Sequence, residues 1–594
     1  MIIQLTGQAQ ERLGGTELVV ITERVDDVVL LLGQMMQMGL PEILDQHLPK
    51  HWKQEGLSWG WTAVIWLAYI LSEGDHRKVA VETYVAGMRY TLSRVTTQTI
   101  RVLDFSDDRL AHLLRHLSKA TYWHAIEQAL NERSIAVYDW PTEVIRCDAT
   151  TVSASHEVVE GGLVQFGHSK DDPTRPQIKI MMASLDPLGV PLATDVLSGD
   201  QADDGLDIPI IDRLQKGLNK RGLLFVGDCK MSALAIRAYL SGQRHLSLSP
   251  FPLTGTTAEQ MTTWISEGIA KAKAGELEPI VRTNDKGQEV LVAQGYEFAR
   301  TCHVKKTHGQ RPWQERVLVI HSPAHAEQQA KGLHNRLANA ESKLHALTPP
   351  PGRGKRQLTE ESQLLEAIGK VLKAQRVEGL LTIAYVKQTE RRTQYVGRGR
   401  GSANRDKRVI EKGRYQITQV TRHDDQVADL KASFGWKAFV SNATEKRLSL
   451  SEAVLCYRHE YRIERIFHRL KSRLQIAPMF AKRDDQIQGL TYLLTLGVRV
   501  LTVMEFTLRR SLQRGQAKLP GLHPENRNQG TDKPTAERVL KAFSKVSLTI
   551  IKNRVGREIG RWLTPLSSVQ QDILQRLGFD ASLYSQLEFQ NTAN

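Results

Sequence analysis

Cysteine is scarce in this sequence, and the spacing of the few cysteines excludes one class of site. The 594 residues include four, Cys147, Cys229, Cys302 and Cys456. They lie far apart, with no CxxC pair and no Cys/His group at zinc-ligand spacing. We therefore expect no structural zinc. Since no secretory leader pattern is present either, we expect a reducing, cytoplasmic compartment.

Long apolar runs are missing too. The longest run, residues 61–71 (WTAVIWLAYIL), is far shorter than the roughly 20 residues that cross a bilayer. We therefore expect a buried core helix at this position and no membrane partner. No internal repeat is evident.

Positive charge, by contrast, is in excess. The chain has 80 Lys and Arg against 65 Asp and Glu, a formal net charge of +15 and a pI near 9.5. This balance favours a polyanionic partner, with nucleic acid as the default. The basic residues are spread along the chain, which indicates an extended surface built by several domains. The alternative is a merely basic, highly soluble protein. At this length we expect three or four folding units.

Residues 1–140 are mostly helical by pattern. Apolar residues recur at three- and four-residue steps with short breaks between the segments. The predicted helices cover residues 25–38, 59–72, 76–87 and 107–130. This helical N-terminal domain would either bind DNA or serve a structural or dimerising role.

From about residue 141 the pattern changes to short strands that alternate with helices. Three strands, with loops short enough for antiparallel neighbours, come first; a helix, a fully apolar strand, a second helix and a last short strand follow. The segments in order are residues 143–153, 177–185, 191–197, a helix to about 218, then 222–228, 232–240 and 245–249. This β-β-β-α-β-α-β succession is an α/β sheet of ribonuclease-H-like order. In that arrangement the first strand is central and the fourth lies parallel beside it.

The later part of the chain divides into three regions. Residues 251–435 are predicted to be a β-rich insertion with helices, and it splits the α/β domain into residues 141–250 and 436–510. Residues 511–594 begin as a Gly/Pro/Asn-rich linker and end in short helices. The predicted fold class is therefore α/β, with an interrupted ribonuclease-H-like domain, a helical N-terminal domain and a helical C-terminal tail for dimerisation or DNA binding.

Two acidic residues stand at the ends of apolar strand segments. Asp148 follows IRC, and Asp228 closes the run LLFVG. A carboxylate there is costly to bury unless it is paired, hydrogen-bonded or bound to a cation. If the two strands are neighbours, both carboxylates open onto the same edge of the sheet. The alternative for each is an ordinary turn residue that ends a strand.

A third acid is placed by the segment from residue 457 to 479 (YRHEYRIERIFHRLKSRLQIAPM), which has the period of an amphipathic helix. Tyr457, Glu464 and Lys471 are spaced by seven residues and would share one stripe of that helix, with His468 one turn from Glu464. The bland alternative is a surface helix with an ordinary Glu–Lys stripe.

Three carboxylates at one edge repel each other, and a divalent metal removes the conflict. Hard oxygen ligands select Mg²⁺, with Mn²⁺ as a substitute. Two such ions about 3.5–4 Å apart can activate a water or a 3′-hydroxyl and stabilise the leaving oxygen of a phosphoryl transfer.

These motifs, IRCDATTVS, FVGDCKMS and Y-x6-E-x6-K, resemble the DDE transposases of bacterial insertion sequences. They are most similar to the IS-four-type superfamily in its long form, with a β-rich insertion between the second Asp and the Glu. Residues 167–179 (GHSKDDPTRPQIK) also look like the GxSKDxRPxxK segment of that group. The group's signature has an Arg where this chain has Glu460. That departure weakens any phosphate contact there and makes Glu460 an alternative third acid.

The resemblance implies a homodimer that binds the terminal inverted repeats of its own element, cleaves the ends and joins the 3′-hydroxyls to target DNA. Asp148, Asp228 and Glu464 would be catalytic and would hold two Mg²⁺ ions. Tyr457 and Lys471 would contact phosphate near the scissile bond. Two other functions stay open: a nuclease of the same fold without strand transfer, and a catalytically silent DNA-binding protein derived from a transposase.

Further DNA contacts are expected from basic residues outside these motifs. Residues 391–414 are dense in Arg, Lys and Gly, typical of either a salt-sensitive DNA clamp or a solvated loop. Basic residues near the expected site are candidates as well. The predicted contacts are Lys170, Arg175, Lys179, Arg398, Arg400, Arg405 and His468.

Overall fold

The structure is a computed structural model of the chain, and it forms two compact units. Unit 1 comprises Met1–Ser249, His303–Trp313 and Cys456–Asn594, and unit 2 comprises Pro250–Cys302 and Gln314–Leu455. The structure describes residues 2–4, 17–50, 55–169, 172–202, 205–252, 255–284, 287–303, 312–352, 355, 357–396, 404, 406–523, 525–526 and 528–588.

The elements of both units are numbered here along the chain. The strands are β1 Ile2–Gln4, β2 Glu17–Arg24, β3 Val144–Ser153, β4 Gln177–Asp186, β5 Val190–Ser198, β6 Leu224–Val226, β7 Leu246–Pro250, β8 Glu278–Thr283, β9 Glu289–Cys302, β10 Trp313–His321, β11 Leu381–Tyr395, β12 Lys407–Arg422, β13 Trp436–Ser441, β14 Ser547–Asn553 and β15 Glu558–Leu563.

Helices, like strands, occur in both units. They are α1 Val28–Gln37, α2 Leu40–His47, α3 Trp59–Glu73, α4 Lys78–Gly87, α5 Arg89–Thr96, α6 Asp107–Leu117, α7 Ala120–Tyr138, α8 Asp207–Leu218, α9 Leu234–Gly242, α10 Gly255–Ala274, α11 Pro323–Ala346, α12 Glu361–Gln375, α13 Asp424–Ala432, α14 Leu450–Tyr457, α15 Tyr461–His468, α16 Asp484–Arg514, α17 Ala536–Ala542, α18 Ser568–Leu577 and α19 Ser582–Ser585. Short turns of 3₁₀-helix cover Val102–Phe105 and Arg458–Glu460, and a π-helical turn covers Arg469–Arg473.

A mixed sheet in the order β5-β4-β3-β6-β7 forms the centre of unit 1. The strand β3 pairs antiparallel with β4 and parallel with β6, while β4–β5 is antiparallel and β6–β7 parallel. The first strand of this sheet is thus internal, and the fourth runs parallel beside it, as the sequence predicted. Every residue of β4 is buried, which includes the polar residues at both ends of its apolar centre, IMMA.

The long helix α16 is the core of the helical layer in unit 1, where it packs against β5, α6 and α3. Among the described residues, α16 is the one helix that is long and apolar enough to cross a membrane. However, 94% of its most apolar 18-residue stretch is buried inside the protein. At the crossing with α6, a Cβ added to Gly489 would overlap the carbonyl oxygen of Leu114. The close approach of these helices therefore requires glycine at this position.

A buried arginine ties α16 to its neighbours. Arg499 is 3% exposed, and its guanidinium donates to Asn131 Oδ1 at 2.7 Å, to the Leu130 carbonyl at 2.8 Å, to the Pro191 carbonyl at 3.1 Å and to Ser134 Oγ at 3.2 Å. Burial lowers the pKa of Arg499 to about 10. A cation held by four neutral oxygens thus joins α16 to α7 and to the start of β5.

The two ends of the chain are less helical than the sequence indicated. A second sheet, in the order β1-β2-β14-β15, pairs β2 antiparallel with β14. β2 and β14 come from opposite ends of the sequence, so no neighbouring segment signals their pairing. The predicted helix 107–130 is also wrong in its bounds, because the chain breaks between α6 and α7 at Ser118 and Lys119.

Unit 2 contains an antiparallel array, β13-β10-β9-β8, and a separate two-stranded ribbon of β11 and β12. The helix α10 places Trp264 against the array, where its ring packs beside Phe251 and Phe298. The ribbon pairs from Leu381 to Tyr395 of β11, with one irregularity between Ala384 and Tyr385.

Candidate active site

The parallel register of β3 and β6 sets the position of the two strand-end aspartates. Val144, Ile145 and Arg146 pair with Leu224, Phe225 and Val226, in that order. Each aspartate follows the last of these pairs by two residues, Asp148 in β3 and Asp228 just after β6. The chain after β6 continues alongside its other neighbour, because the Gly227 amide donates to the Leu248 carbonyl at 3.2 Å. Since adjacent strands are about 4.8 Å apart, continuation of this register would bring the two aspartates to one part of the sheet.

Both carboxylates are half-buried, and each accepts a backbone hydrogen bond from its own segment. Asp148 Oδ1 accepts from the Ala149 amide at 2.7 Å, and Asp228 Oδ1 accepts from the Lys230 amide at 2.9 Å. These short-range bonds orient each carboxylate at its own strand.

A buried arginine that is not among the predicted site residues holds the C-terminal end of α14. Arg146 precedes Asp148 by two residues and therefore points to the same face of β3. It is 2% exposed, and its Nη2 donates to Asp186 Oδ2 at 2.8 Å and to the Cys456 carbonyl at 2.6 Å. The end of α14 is thereby fixed beside the aspartates.

Tyr457 directly follows this anchored residue and reports the electrostatics around it. Burial raises the pKa of its hydroxyl, and the carboxylates of Glu460 and Asp228 raise it further. The Tyr457 hydroxyl also donates a hydrogen bond to Glu460. Glu460 and Asp228 therefore both act electrostatically on the Tyr457 hydroxyl.

The predicted continuous helix over residues 457–479 is wrong. After α14 the chain passes through the 3₁₀ turn Arg458–Glu460, the helix α15 and the π-helical turn Arg469–Arg473, and the helical segment ends before Leu474. A 3₁₀ turn has i→i+3 hydrogen bonds and a π turn has i→i+5 hydrogen bonds. Both rotate side chains away from the 3.6-residue period of an α-helix. A single straight stripe through Tyr457, Glu464 and Lys471 is therefore not formed.

Glu464 lies on the exposed side of α15, while Ile463, Ile466 and Phe467 are buried and α15 packs against β3. His468 is exposed as well, and Lys471 is half-buried in the π-helical turn.

The three predicted acids do not form a ready-made metal site. Across the described ranges, no three His, Cys, Asp or Glu side chains are grouped closely enough to hold a metal ion. The pair Asp148 and Asp228 supplies hard oxygen donors of the kind that Mg²⁺ prefers. A third carboxylate would have to come from the segment that carries Glu460 and Glu464.

The other predicted DNA contacts occupy different surroundings. Arg175 is exposed, and its Nε lies 3.4 Å from Asp172 Oδ2. Lys179 is 6% exposed within β4, where its ammonium donates to the Gln201 carbonyl, so it does not face solvent. Four of the predicted contacts lie outside the described residues, namely Lys170, Arg398, Arg400 and Arg405.

Local sequence signals could have found only part of this site. The FVGD and IRCD segments marked the aspartates, but Arg146 looks like one more charged residue within a strand. Its contact with Cys456 joins positions 310 residues apart. Only the folded arrangement shows that Arg146 positions the end of α14.

Comparisons with known proteins add little. No protein-family model and no curated protein matches the sequence. Among solved structures, the chain is similar to the cryo-EM structure of a piggyBac transposase synaptic complex with hairpin DNA. The TM-score is 0.31 at 8% sequence identity, and the alignment covers 88% of this chain and 80% of that chain. This TM-score is too low to assign a common fold.

Proposed function

We propose that this chain is a DNA transposase whose catalytic domain has a ribonuclease-H-like fold. It would bind the terminal inverted repeats of its element as a homodimer, cleave the ends and join the 3′-hydroxyls to target DNA. The observation that carries the proposal is the parallel pairing of β3 and β6, since Asp148 and Asp228 each follow the last pair, Arg146 with Val226, by two residues.

Two further features support the same function. The order β5-β4-β3-β6-β7, with β3 internal, is the arrangement that the succession of strands and helices in the sequence implied. The chain also carries a net charge of +15, which favours the phosphate backbone of nucleic acid.

In this proposal Asp148 and Asp228 hold divalent magnesium, with manganese as a substitute, and Glu464 supplies the third carboxylate. Bound Mg²⁺ would supply charge neutralisation and activation of the attacking oxygen. Lys471, as a point charge, and Tyr457 would position the phosphodiester. Glu460 is the alternative third acid, because Tyr457 links it electrostatically to Asp228.

The test uses the full-length protein and a duplex that carries the element's own terminal repeats. With Mg²⁺ present, the parent protein should nick the end and join it to a labelled target plasmid. Asp148→Asn should lose both reactions and keep its DNA affinity. The matched control is Asp200→Asn, which changes an exposed turn carboxylate that accepts from Ser198 Oγ at 2.6 Å and should leave both reactions intact.

Each outcome decides between the functions that the sequence left open. Cleavage without joined product identifies a nuclease rather than a transposase. Salt-sensitive DNA binding with no cleavage by the parent protein identifies a silent DNA-binding protein. If Asp148→Asn cuts ends at the parental rate, the catalytic assignment is wrong.

A further inference from the structure

A cavity of about 1,020 Å³ opens in unit 1 on a side of α15 that differs from the side carrying Glu464. Its walls come from Tyr461, Arg462 and Arg465 of α15, from the C-terminal half of α16 and from the segment that follows α16. On an α-helix, residues 461, 462 and 465 cluster around a direction roughly 100° from residue 464. The cavity is therefore separate from the aspartate pair but shares a helix with the proposed site.

The lining of this cavity is strongly cationic. Among the described residues it includes five arginines and two lysines against three carboxylates. Two of those carboxylates, Asp139 and Asp532, are exposed. The third, Glu505, is 4% exposed and is the buried counterion of the cluster.

Glu505 cannot neutralise the cluster alone. It is hydrogen-bonded to Arg465 at 2.6 Å and to Arg469, and it lies 3.4 Å from Arg509 Nη2. A second carboxylate, Glu537, pairs with Arg469 at 2.9 Å. Three guanidiniums thus share two carboxylates. Burial lowers the pKa of Arg509, Glu505 opposes that shift, and the neighbouring guanidiniums add to it.

The remaining cations add to this excess. Arg510 donates to the neutral carbonyl of Tyr138, and Arg462 Nε is 4.0 Å from Asp186 Oδ1, beyond hydrogen-bond distance. Lys518 is exposed at the rim. A cavity with this charge is stabilised by an anion, and arginine forks match phosphate oxygens best.

We propose that this arginine-lined cavity binds consecutive phosphates of a DNA strand that continues past the site on α15. Phosphate is the shared chemistry of two sources, the DNA backbone and a free phosphate compound. The volume of about 1,020 Å³ and the several cations around it favour a run of consecutive phosphates, because a single phosphate would leave most of this space unfilled. The choice of DNA rests on the proposed function.

The test measures the salt dependence of DNA binding by the full-length protein. The logarithm of the affinity falls linearly with the logarithm of the salt concentration. Each lost phosphate contact makes this slope shallower by about 0.9. Fluorescence anisotropy with a labelled duplex of unrelated sequence measures this slope. For Arg510→Gln combined with Lys518→Gln, the slope should be shallower than the parental slope by about 1–2. Arg514→Gln, one turn further on α16 and exposed, lies outside the cavity and should keep the parental slope.

A second arm separates the two phosphate sources. Sodium phosphate should raise the melting temperature no more than sodium chloride of equal ionic strength if DNA is the ligand. A phosphate-specific rise that the double variant loses, with an unchanged DNA slope, overturns the proposal in favour of a free phosphate compound. Equal slopes for the double variant and Arg514→Gln also overturn it.

The remaining outcomes keep this inference distinct from the proposed function. If the double variant does not fold, as judged by circular dichroism, Lys518→Gln alone is compared with Arg514→Gln, since Lys518 is exposed. A parent protein that never cleaves DNA but shows the expected slopes refutes the transposase and leaves the cavity assignment standing. A parent protein that binds no duplex overturns both.

Discussion

Replacing Asp27 by asparagine should stabilise the folded protein at neutral pH. Asp27 precedes α1 and is 7% exposed, and Ser72 Oγ donates to its Oδ1 at 2.6 Å. Burial raises the pKa of this carboxyl to about 6, against the lowering effects of the Ser72 bond and of Arg473. At neutral pH the chain therefore keeps a charged carboxylate where burial favours the neutral acid.

The magnitude follows from proton linkage. The folded pKa of about 6 lies above the ordinary value of 3.8, so the folded state binds this proton more tightly than the unfolded state. The stabilising effect of the proton is complete below pH ~4 and is lost as the pH rises through ~6. The shift of about two pKa values corresponds to ~3 kcal/mol. Asparagine is neutral throughout and keeps an oxygen for Ser72, so it should remove this loss.

The assay is urea unfolding followed by tryptophan fluorescence at about pH 5 and about pH 7.5. The parent should lose stability between these values relative to Asp27→Asn, and the variant should be more stable by up to ~3 kcal/mol at the higher pH. A variant that is less stable at the higher pH, or that keeps the parental pH dependence, refutes the reasoning.

Asp75→Asn is the matched control, because its carboxyl shifts in the opposite direction. Burial raises the pKa of Asp75, but hydrogen bonds from Arg77 and Tyr69 outweigh it and lower the pKa to about 2. The stability from this carboxylate is complete above the ordinary pKa and is lost as the pH falls towards 2. Asp75→Asn should therefore destabilise the protein equally at both test values.

Three further substitutions test other parts of the structure. Gly489→Ala should destabilise the fold by about 1–3 kcal/mol, because the added Cβ overlaps the Leu114 carbonyl oxygen. Chemical denaturation measures this loss, and an unchanged stability would contradict the close approach of the two helices. Arg499→Met should cost about 3 kcal/mol or more by the same measurement, since it leaves four buried oxygens without their donor. In the end-cleavage assay, Glu464→Gln should abolish the reaction and Glu460→Gln should only slow it; the reverse ranking would make Glu460 the third acid.

Local sequence patterns were sufficient for the elements around the aspartates. Asp148 and Asp228 follow apolar segments whose β-character is evident within a few residues, and the succession of strands and helices indicated which strands would be neighbours. The short loop between β4, which ends at Asp186, and β5, which begins at Val190, further restricted the order. The sheet that positions the pair was therefore predictable.

Other features depended on contacts between distant positions or on variations within a helix. The apolar period of residues 463–470 predicts a helix but does not reveal whether its ends tighten to a 3₁₀ turn or widen to a π turn. The predicted stripe failed for that reason. Similarly, the charge of the cavity beside α15 arises from α16 and the segment after it, which no local spacing relates to Arg462 or Arg465.

The pairing of β2 with β14 has a consequence for how the chain reaches its fold. The Val546 amide donates to Asp26 Oδ1 at the end of this strand pair, and the two residues are 520 positions apart. During synthesis at about 5–20 residues per second, β2 must wait roughly half a minute to two minutes before β14 leaves the ribosome. Unit 2 leaves the ribosome earlier and can fold within that interval. The pair of β2 and β14 therefore cannot form until after all of unit 2 has left the ribosome.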